Sequence, residues 1–276
     1  MQKTDAHQHF WKYDAETHGW ITDEMKALRR DFVPADLKKE LDRNGFDGCV
    51  AVQADQSEEE TQFLLDLAAE HSFIKGVVGW LDIRAKNFEQ RLEHFADQSA
   101  LKGLRQIVQD EPDDRFLLQP DFMEGIGLLA GYDLTYDILI FEHQLPAAVE
   151  FAEQFPNQPF VLDHIGKPRI KEGKIDEWEE GIRALAGHSN MYCKLSGLVT
   201  EADWQQWKPD DFKPYLDVVF DAFGAERLMF GSDWPVCTLA ASYGQVGALV
   251  EDYIHSLSQD QQSAIMGGNA RRFYDL

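Results

Sequence analysis

Short apolar stretches alternate along this chain with amphipathic stretches of helical periodicity, and this alternation limits the folds it can adopt. We predict strands at 3–9, 48–54, 74–81, 101–108, 135–141, 159–165, 190–196 and 227–232. The second and fifth are continuous apolar runs, which suit parallel strands that are covered on both faces. Strands that alternate with helices and have no linker between them predict one closed α/β structure, a (β/α)8 TIM barrel.

The segments between the predicted strands carry helix start and stop signals. Pro34 suits the first turn of a helix that ends before Gly45. Ser57 and Glu60 have the spacing of a capping box. Further helical patterns lie at 145–155, 176–185, 215–223, 243–257 and 259–266. The length of 276 residues is close to the ~250 residues typical of one barrel, so we predict a single domain over 1–276.

The main alternative fold is a doubly wound open sheet. Such a sheet usually places a glycine-rich phosphate loop after its first strand, whereas here the first strand is followed by His-Gln-His-Phe-Trp. The aromatic segment 10–32, which contains Trp20, would be a long loop at the carboxyl end of strand 1. Loops at that end line the active-site mouth of a barrel, so we expect 10–32 to cover a pocket, with His18 as a candidate lid residue.

The charge balance narrows the class of partner. The formal net charge of -23 argues against binding nucleic acid or an anionic membrane through a basic surface. We therefore expect a small-molecule substrate, no nucleic acid and no membrane, and leave the oligomeric state open. The first residues lack the apolar region of a signal peptide, which predicts a cytoplasmic protein. Cys49 and Cys193 lie in apolar runs and are predicted to be core thiols.

Two histidines at the end of the first strand are the strongest chemical signal. His7 and His9 are two residues apart, so their side chains point to the same face of a strand. Two imidazoles at a barrel mouth can share a metal ion or bind one substrate oxygen. Taken alone, the pair is weak evidence, and two polar histidines at a strand end are then the favoured interpretation.

Two further polar residues occur at equivalent places. His164 follows the sixth predicted strand and Asp233 follows the eighth, each where an apolar run gives way to a loop rich in Gly and Pro. A barrel brings these strand ends into one ring. We therefore predict that three histidines and one aspartate converge on a single site.

Five other residues are candidate substrate contacts. Arg105 and Lys194 lie inside apolar strands, where a charge needs either a carboxylate partner or a ligand. His143 follows the fifth strand and is either a ligand contact or a loop residue. Trp80 and Trp234 can stack on a ligand or simply pack in the core.

These motifs together resemble the amidohydrolase superfamily of metal-dependent-hydrolase-like barrels. The resemblance to its amidohydrolase-related branch rests on the runs from Asp5 to Trp11, Leu162 to Pro168, Gly231 to Cys237 and Gly268 to Tyr274. That branch includes sugar-lactone hydrolases of the L-fuconolactonase and L-rhamnonolactonase type and a pyrone-dicarboxylate lactonase. The resemblance implies a hydrolase that opens a sugar-derived lactone to the sugar acid, such as L-fucono- or L-rhamnonolactone.

The resemblance also implies roles for individual residues. Asp233 would be the general base for water, and His7, His9 and His164 would bind or polarise the substrate carbonyl. Arg105 and Lys194 would be further polar groups at the reacting end. Most of the superfamily has a carbamylated lysine or a glutamate at the end of strand 4, bridging two metals, and this chain has Arg105 there instead.

Two questions about chemistry stay open at this level. The enzyme either needs no cofactor or binds one divalent metal ion, such as zinc, through His7, His9, His164 and Asp233. The alternative activities are a mononuclear metal-dependent amidohydrolase or decarboxylase and, outside catalysis, a sugar-acid binding barrel. Because the net charge is strongly negative, we favour a neutral aldonolactone over a dicarboxylate as substrate.

Overall fold

Eight parallel strands form one sheet in the computed structural model, which describes residues 2–276, and their order along the sheet follows the chain from β1 to β8. The strands are β1 Thr4–Gln8, β2 Gly48–Val52, β3 Ile74–Gly79, β4 Leu101–Ile107, β5 Thr135–Leu139, β6 Phe160–Leu162, β7 Met191–Leu195 and β8 Leu228–Phe230. Each strand lies within its predicted range, so the prediction of eight strands is confirmed.

Hydrogen bonds just beyond β8 bring the last strand against the first. The amide of His9 donates to the carbonyl of Trp234 at 2.7 Å, and the amide of Asp233 donates to the carbonyl of His7 at 2.8 Å. The sheet is therefore a nearly closed barrel with helices between its strands, as the sequence predicts. These two bonds also place the segment that carries Asp233 directly beside the one that carries His7 and His9.

The helices occupy the predicted connections, with additions. They are α1 Pro34–Asn44, α2 Glu58–Glu70, α3 Phe88–Ala96, α4 Pro120–Leu129, α5 Leu145–Gln154, α6 Asp176–Ala186, α7 Pro209–Phe223, α8 Tyr243–Ile254, α9 Gln259–Ser263 and α10 Asn269–Phe273. Helices α3, α4 and α10 were not predicted from the sequence. Helix α7 begins at Pro209, six residues before the predicted start, and continues through Pro214. Within residues 2–276, no helix is both long and apolar enough to cross a membrane.

The chain's last residues close the barrel at the end opposite its mouth. Tyr274 is buried in an apolar cluster with strand residues that include Val50, Val78 and Met229. The backbone of Gly267 lies against Thr4 at the start of β1, where a Cβ on the glycine would come 2.6 Å from the Thr4 amide nitrogen. This segment therefore covers the starts of the strands, at the end opposite the carboxyl ends that carry the candidate residues.

The loop between β2 and α2 is held by a buried carboxyl group. Ser57 caps α2 as predicted, accepting a hydrogen bond from the amide of Glu60 at 3.2 Å. The Glu60 side chain, however, turns towards the loop and accepts from the amides of Ala54 at 3.0 Å and Asp55 at 2.6 Å. Burial raises the pKa of Glu60 to about 8, so this carboxyl group holds its proton at neutral pH.

The raised pKa of Glu60 predicts a pH dependence of stability. In the unfolded chain a glutamate titrates near about 4.3, so the unfolded state loses this proton first as the pH rises. The contribution of Glu60 to the free energy of unfolding therefore falls between about pH 4 and pH 8. We expect Glu60→Gln to lose less stability than the wild type between pH 5 and pH 8 in urea unfolding. If the free energy of unfolding falls by the same amount between pH 5 and pH 8 in Glu60→Gln and in the wild type, this assignment is contradicted.

Candidate active site

The four residues predicted to converge do meet at the carboxyl end of the barrel. The Nε2 atoms of His9 and His7 lie 3.3 Å and 3.8 Å from Oδ1 of Asp233. The ring of His7 lies between the other two imidazoles, with ring centroids 4.9 Å from His9 and 4.5 Å from His164. All four are buried. The carboxylate of Asp233 is therefore held beside a cluster of imidazoles at the base of a cavity.

The backbone at two of these residues is strained. His164 has a φ of 54° and Asp233 a φ of 57°, the left-handed region that side chains other than glycine enter rarely. Each such residue costs about 1–3 kcal/mol and tends to persist where function requires it. At Asp233 the conformation is held by the bond to the His7 carbonyl and by the amide of Cys237, which donates to the Asp233 carbonyl at 2.8 Å.

Two glycines make room for the imidazoles. A Cβ on Gly197 would lie 2.6 Å from Cγ of His164, and Gly197 itself has a φ of +65°. A Cβ on Gly231 would lie 2.6 Å from Cβ of His7. Contacts this short do not occur between real side chains, so the glycines after β7 and β8 are needed for the histidines to reach the site.

Hydrogen bonds to the remaining polar atoms fix the rings and loops. Nδ1 of His9 contacts the carbonyl of Val52 at 2.8 Å, and Nδ1 of His164 contacts Oγ of Ser196 at 2.9 Å. Asp5 accepts from the amide of Ser232 at 2.9 Å and from its hydroxyl at 2.6 Å. The aspartate that begins the Asp-Ala-His-Gln-His motif thus anchors the loop before Asp233.

The electrostatics of the site favour a neutral imidazole beside an ionised carboxylate. Burial lowers the pKa of His164 to about 4 and lowers the pKa of His7 well below its ordinary value. Burial would raise the pKa of Asp233, but the neighbouring imidazoles, His164 first, outweigh it and hold the pKa below the ordinary range. At neutral pH Asp233 is therefore an anion that can accept a proton or a cation.

Arg105 and Lys194 are both paired with carboxylates. Arg105 donates to Oδ2 of Asp163 at 2.9 Å, and Lys194 lies 2.5 Å from Oδ2 of Asp137 and 3.0 Å from Oδ1 of Asp163. Nζ of Lys194 also lies 3.1 Å from Nδ1 of His7. Burial would raise the pKa of Asp163, but Lys194 and the other neighbouring cationic groups hold it well below its ordinary value. A buried layer of alternating charges thus supports the histidines from below.

A cavity of about 450 Å³ opens above this layer, within the 300–1,000 Å³ range of small-molecule sites. Its wall includes Arg105 and three of the four converging residues, and Lys194 is not part of it. The lining residues are His9, Trp20, Met25, Ala54, Arg105, Ile107, Gln109, Asp110, Leu139, His164, Lys167, Thr200, Glu201, Trp204, Asp233, Val236 and Leu239. Trp20 and Met25 belong to segment 10–32, so the prediction that this loop covers the pocket is confirmed.

Several predicted ligand contacts lie away from the cavity wall. The side chain of His143 is 54% exposed and pairs with Asp114 at 3.2 Å. The indole of Trp80 donates to Oε1 of Gln106 at 2.7 Å, and Trp234 is buried against the ring of Phe32 at 5.3 Å between centroids. In the structure the neighbours of these three side chains are protein groups, and none of the three lines the cavity that contains Asp233. His18 is likewise buried, against Trp11, and does not form a lid over the cavity.

Other functional residues were not identified from the sequence. Asp163 and Asp137 lie in or next to apolar strands, and a carboxylate there is the partner that a buried lysine or arginine requires. The presence of Arg105 and Lys194 could therefore have pointed to them. Lys167 and Glu201 are on loops, where sequence alone does not distinguish a cavity wall from an exposed surface.

The donor set can hold one divalent metal ion. His7, His164 and Asp233 each offer one ligand atom, and these atoms lie within 4.8 Å of one another. Three protein ligands and an open fourth position are typical of catalytic zinc sites. The position at the end of β4, where a bridging ligand for a second metal would be expected, is occupied by the guanidinium of Arg105, whose Nη1 lies 3.4 Å from Nε2 of His7.

Comparisons with known proteins agree with this geometry. The family model described as amidohydrolase matches residues 4–276. The chain is 43% identical to an L-fucono-1,5-lactonase of Burkholderia multivorans over 285 residues, covering 99% of this chain and 96% of that protein. It is 37% identical to an L-fucono-1,5-lactonase of Burkholderia ambifaria, covering 99% and 96%. A crystal structure of an amidohydrolase from B. multivorans with bound zinc has 42% identity, full coverage of both chains and a TM-score of 0.96.

Proposed function

Because this chain belongs to the amidohydrolase family, we propose that it hydrolyses a sugar-derived lactone to the open sugar acid. The observation that carries the proposal is the ionised carboxylate of Asp233, buried beside His7, His9 and His164 at the base of a cavity. The named activity of the L-fucono-1,5-lactonases to which the chain is 43% and 37% identical supports this reaction. Opening such an ester requires an activated water, a stabilised carbonyl oxygen and a proton for the leaving oxygen.

Asp233 is the group that activates water. Its pKa is held below the ordinary range, so it is ionised at neutral pH and can take a proton as water attacks the carbonyl carbon. The protonated carboxyl group can then return that proton to the ring oxygen as the bond breaks. General acid–base catalysis of this kind contributes about 10²–10⁴-fold to the rate.

The carbonyl oxygen is stabilised by the donors around Asp233. Arg105 lines the cavity, and its charge is held in place by Asp163 and by the side chain of Gln53, at 2.9 Å in each case. A fixed donor of this kind stabilises the negative charge that develops in the transition state, by about 3–4 kcal/mol when it is well placed. His164, neutral at pH 7, provides a further polar contact from the end of β6.

A bound metal ion would be held by His7, His164 and Asp233, the donors whose ligand atoms cluster. It would supply Lewis-acid polarisation of the substrate carbonyl. His7 and His164 would then serve as ligands, and the second carboxylate oxygen of Asp233 would remain available to accept a proton from water.

The cavity favours a neutral polyhydroxy substrate. Its three carboxylates, of Asp110, Glu201 and Asp233, outnumber its two cationic side chains, Arg105 and Lys167, and the protein carries a formal charge of -23. Apolar side chains, including Ile107, Leu139 and Leu239, form the rest of the wall. A sugar lactone that carries both hydroxyls and a methyl group matches this mixture, whereas a dicarboxylate would be repelled by it.

The proposal predicts the outcome of a substrate panel. We expect proton release, followed with a pH indicator, from L-fucono-1,5-lactone and related neutral aldonolactones at rates proportional to protein concentration. A pyrone dicarboxylate should be turned over at least about tenfold less efficiently because of like-charge repulsion. Each assay is run with and without a chelator, so that the panel also shows whether lactone hydrolysis requires a bound metal ion. Absence of turnover on every lactone under both conditions would contradict the proposed function.

A further inference from the structure

One charged pair on the cavity wall has no part in the chemistry described above. Nζ of Lys167 lies 3.8 Å from Oε1 of Glu201, and both side chains are mostly buried. Lys167 lies on the loop after β6, three residues beyond His164, and Glu201 lies on the loop after β7. Both line the cavity that contains Asp233.

The pair is poorly satisfied within the protein. The separation of 3.8 Å is longer than a hydrogen bond between these groups, which is about 2.7–2.9 Å. Burial raises the pKa of Glu201, and the neighbouring Lys167 only partly opposes this. A charged pair that is partly withdrawn from water at this distance gains little from its own attraction unless further hydrogen bonds complete it. The missing partners are expected to come from a ligand in the cavity.

The chemistry of the pair identifies that ligand as a set of hydroxyl groups. A carboxylate has two oxygens that accept from neighbouring hydroxyls, and an ammonium donates to their oxygens. Next to the pair, the indole of Trp204 lines the cavity, its own N–H already donating to the carbonyl of Thr200 at 2.8 Å. This leaves the indole ring as an apolar surface beside two hydrogen-bonding charges, which suits the hydroxylated face of a sugar ring.

We infer that Lys167 and Glu201 form a hydroxyl-binding pair that determines which sugar lactone the site accepts. This inference rests on the lactone hydrolysis proposed above and assigns the substrate-selecting groups of the same cavity. With the carbonyl beside Asp233 and Arg105, the ring hydroxyls contact the pair from the side of β6 and β7. Glu201 accepts from one or two hydroxyls, and Lys167 donates to one of them.

A second pair on the same two loops supplies a matched control. Nζ of Lys171 lies 3.7 Å from Oδ2 of Asp203, nearly the same separation, but these side chains are 66% and 40% exposed. Neither residue lines the cavity that contains Asp233. Lys171→Met and Asp203→Asn therefore remove the same kinds of charge without changing the proposed hydroxyl contacts.

The test compares selectivity among lactones rather than overall activity. We expect Glu201→Gln and Lys167→Met to lower kcat/KM for the best sugar lactone by about tenfold to a hundredfold, mainly through KM, because a hydrogen bond to a charged group is lost. The preference for that lactone over epimers that differ at one hydroxyl should fall by a similar factor. Lys171→Met and Asp203→Asn should keep the wild-type preference.

The unsubstituted δ-valerolactone separates this inference from the proposed function. It has the reacting ester and no ring hydroxyls, so the loss of kcat/KM caused by Glu201→Gln should be smaller for δ-valerolactone than for the best sugar lactone. If the wild type hydrolyses no lactone at all, the proposed function fails. If the wild type hydrolyses sugar lactones but Glu201→Gln keeps the wild-type epimer preference, the assignment of Lys167 and Glu201 as a hydroxyl-binding pair is wrong. The assignment is also wrong if Lys171→Met changes the epimer preference as much as Glu201→Gln does.

Discussion

Replacing Asp233 with asparagine is expected to lower kcat for lactone hydrolysis by about 10²–10⁴-fold, the usual contribution of a general base. The amide has nearly the same shape as the carboxylate but cannot take a proton from water. KM should change much less, because the cavity wall and its hydroxyl contacts stay in place. Steady-state kinetics on the best lactone of the panel, at pH 7, measure both quantities.

The control for this variant is a check that it still folds. Asp233→Asn leaves the backbone unchanged and so keeps the hydrogen bond from the amide of residue 233 to the His7 carbonyl. Its circular dichroism and melting temperature should therefore remain close to those of the wild type. A folded Asp233→Asn protein with kcat within about threefold of the wild type would contradict the role of this carboxylate, since a factor of three is far below a general-base effect.

Replacing Lys194 with methionine is expected to destabilise the fold strongly. Lys194 is fully buried and contacts Asp137 at 2.5 Å and Asp163 at 3.0 Å. Removing one partner of a buried pair leaves an uncompensated charge and costs about 3–5 kcal/mol. For a protein of this size that corresponds to a melting temperature lower by about 6–20 °C, which differential scanning calorimetry measures.

Two further variants make the Lys194 prediction specific. The double variant Lys194→Met with Asp137→Asn removes both charges of the closest pair and should recover part of the lost stability. Lys171→Met, at an exposed lysine, should change the free energy of unfolding by less than about 0.5 kcal/mol. A melting temperature for Lys194→Met within about 2 °C of the wild type would show that the layer of charges does not stabilise the fold in this way.

The sequence predicted the barrel and the four converging residues because both depend on local patterns. Apolar runs of strand length mark β1 to β8, and His7, His9, His164 and Asp233 all occur where such a run ends. In a barrel every strand end reaches the same rim. Convergence therefore follows from topology alone, without knowledge of any side-chain contact.

The partners of the buried charges depend on contacts across the barrel that sequence does not reveal. Lys194 pairs with Asp137 from β5, 57 residues away in the chain. The sequence showed that Lys194 needed a carboxylate or a ligand, but choosing between them required the structure, which places it below the cavity. The resemblance implies that Lys194 acts on the substrate. From its position, Lys194 would do so indirectly, through His7, whose Nδ1 lies 3.1 Å from its Nζ.

Aromatic residues were the least predictable part of the site. Trp80 and Trp234 lie at strand ends like the functional histidines, yet they pack against protein groups, while Trp20 and Trp204 reach the cavity from loops. An indole ring buries a large apolar area in either setting. Its position in the sequence therefore does not indicate whether its neighbour is a ligand or the core.

The role of Asp233 and of the cavity can be tested with a crystal structure of Asp233→Asn soaked with the intact lactone that the wild type hydrolyses best. We expect the carbonyl carbon within one water molecule of residue 233, the carbonyl oxygen facing Arg105 and the histidines, and ring hydroxyls on Lys167 and Glu201. A lactone bound with its carbonyl turned away from residue 233, or bound outside this cavity, would contradict these roles.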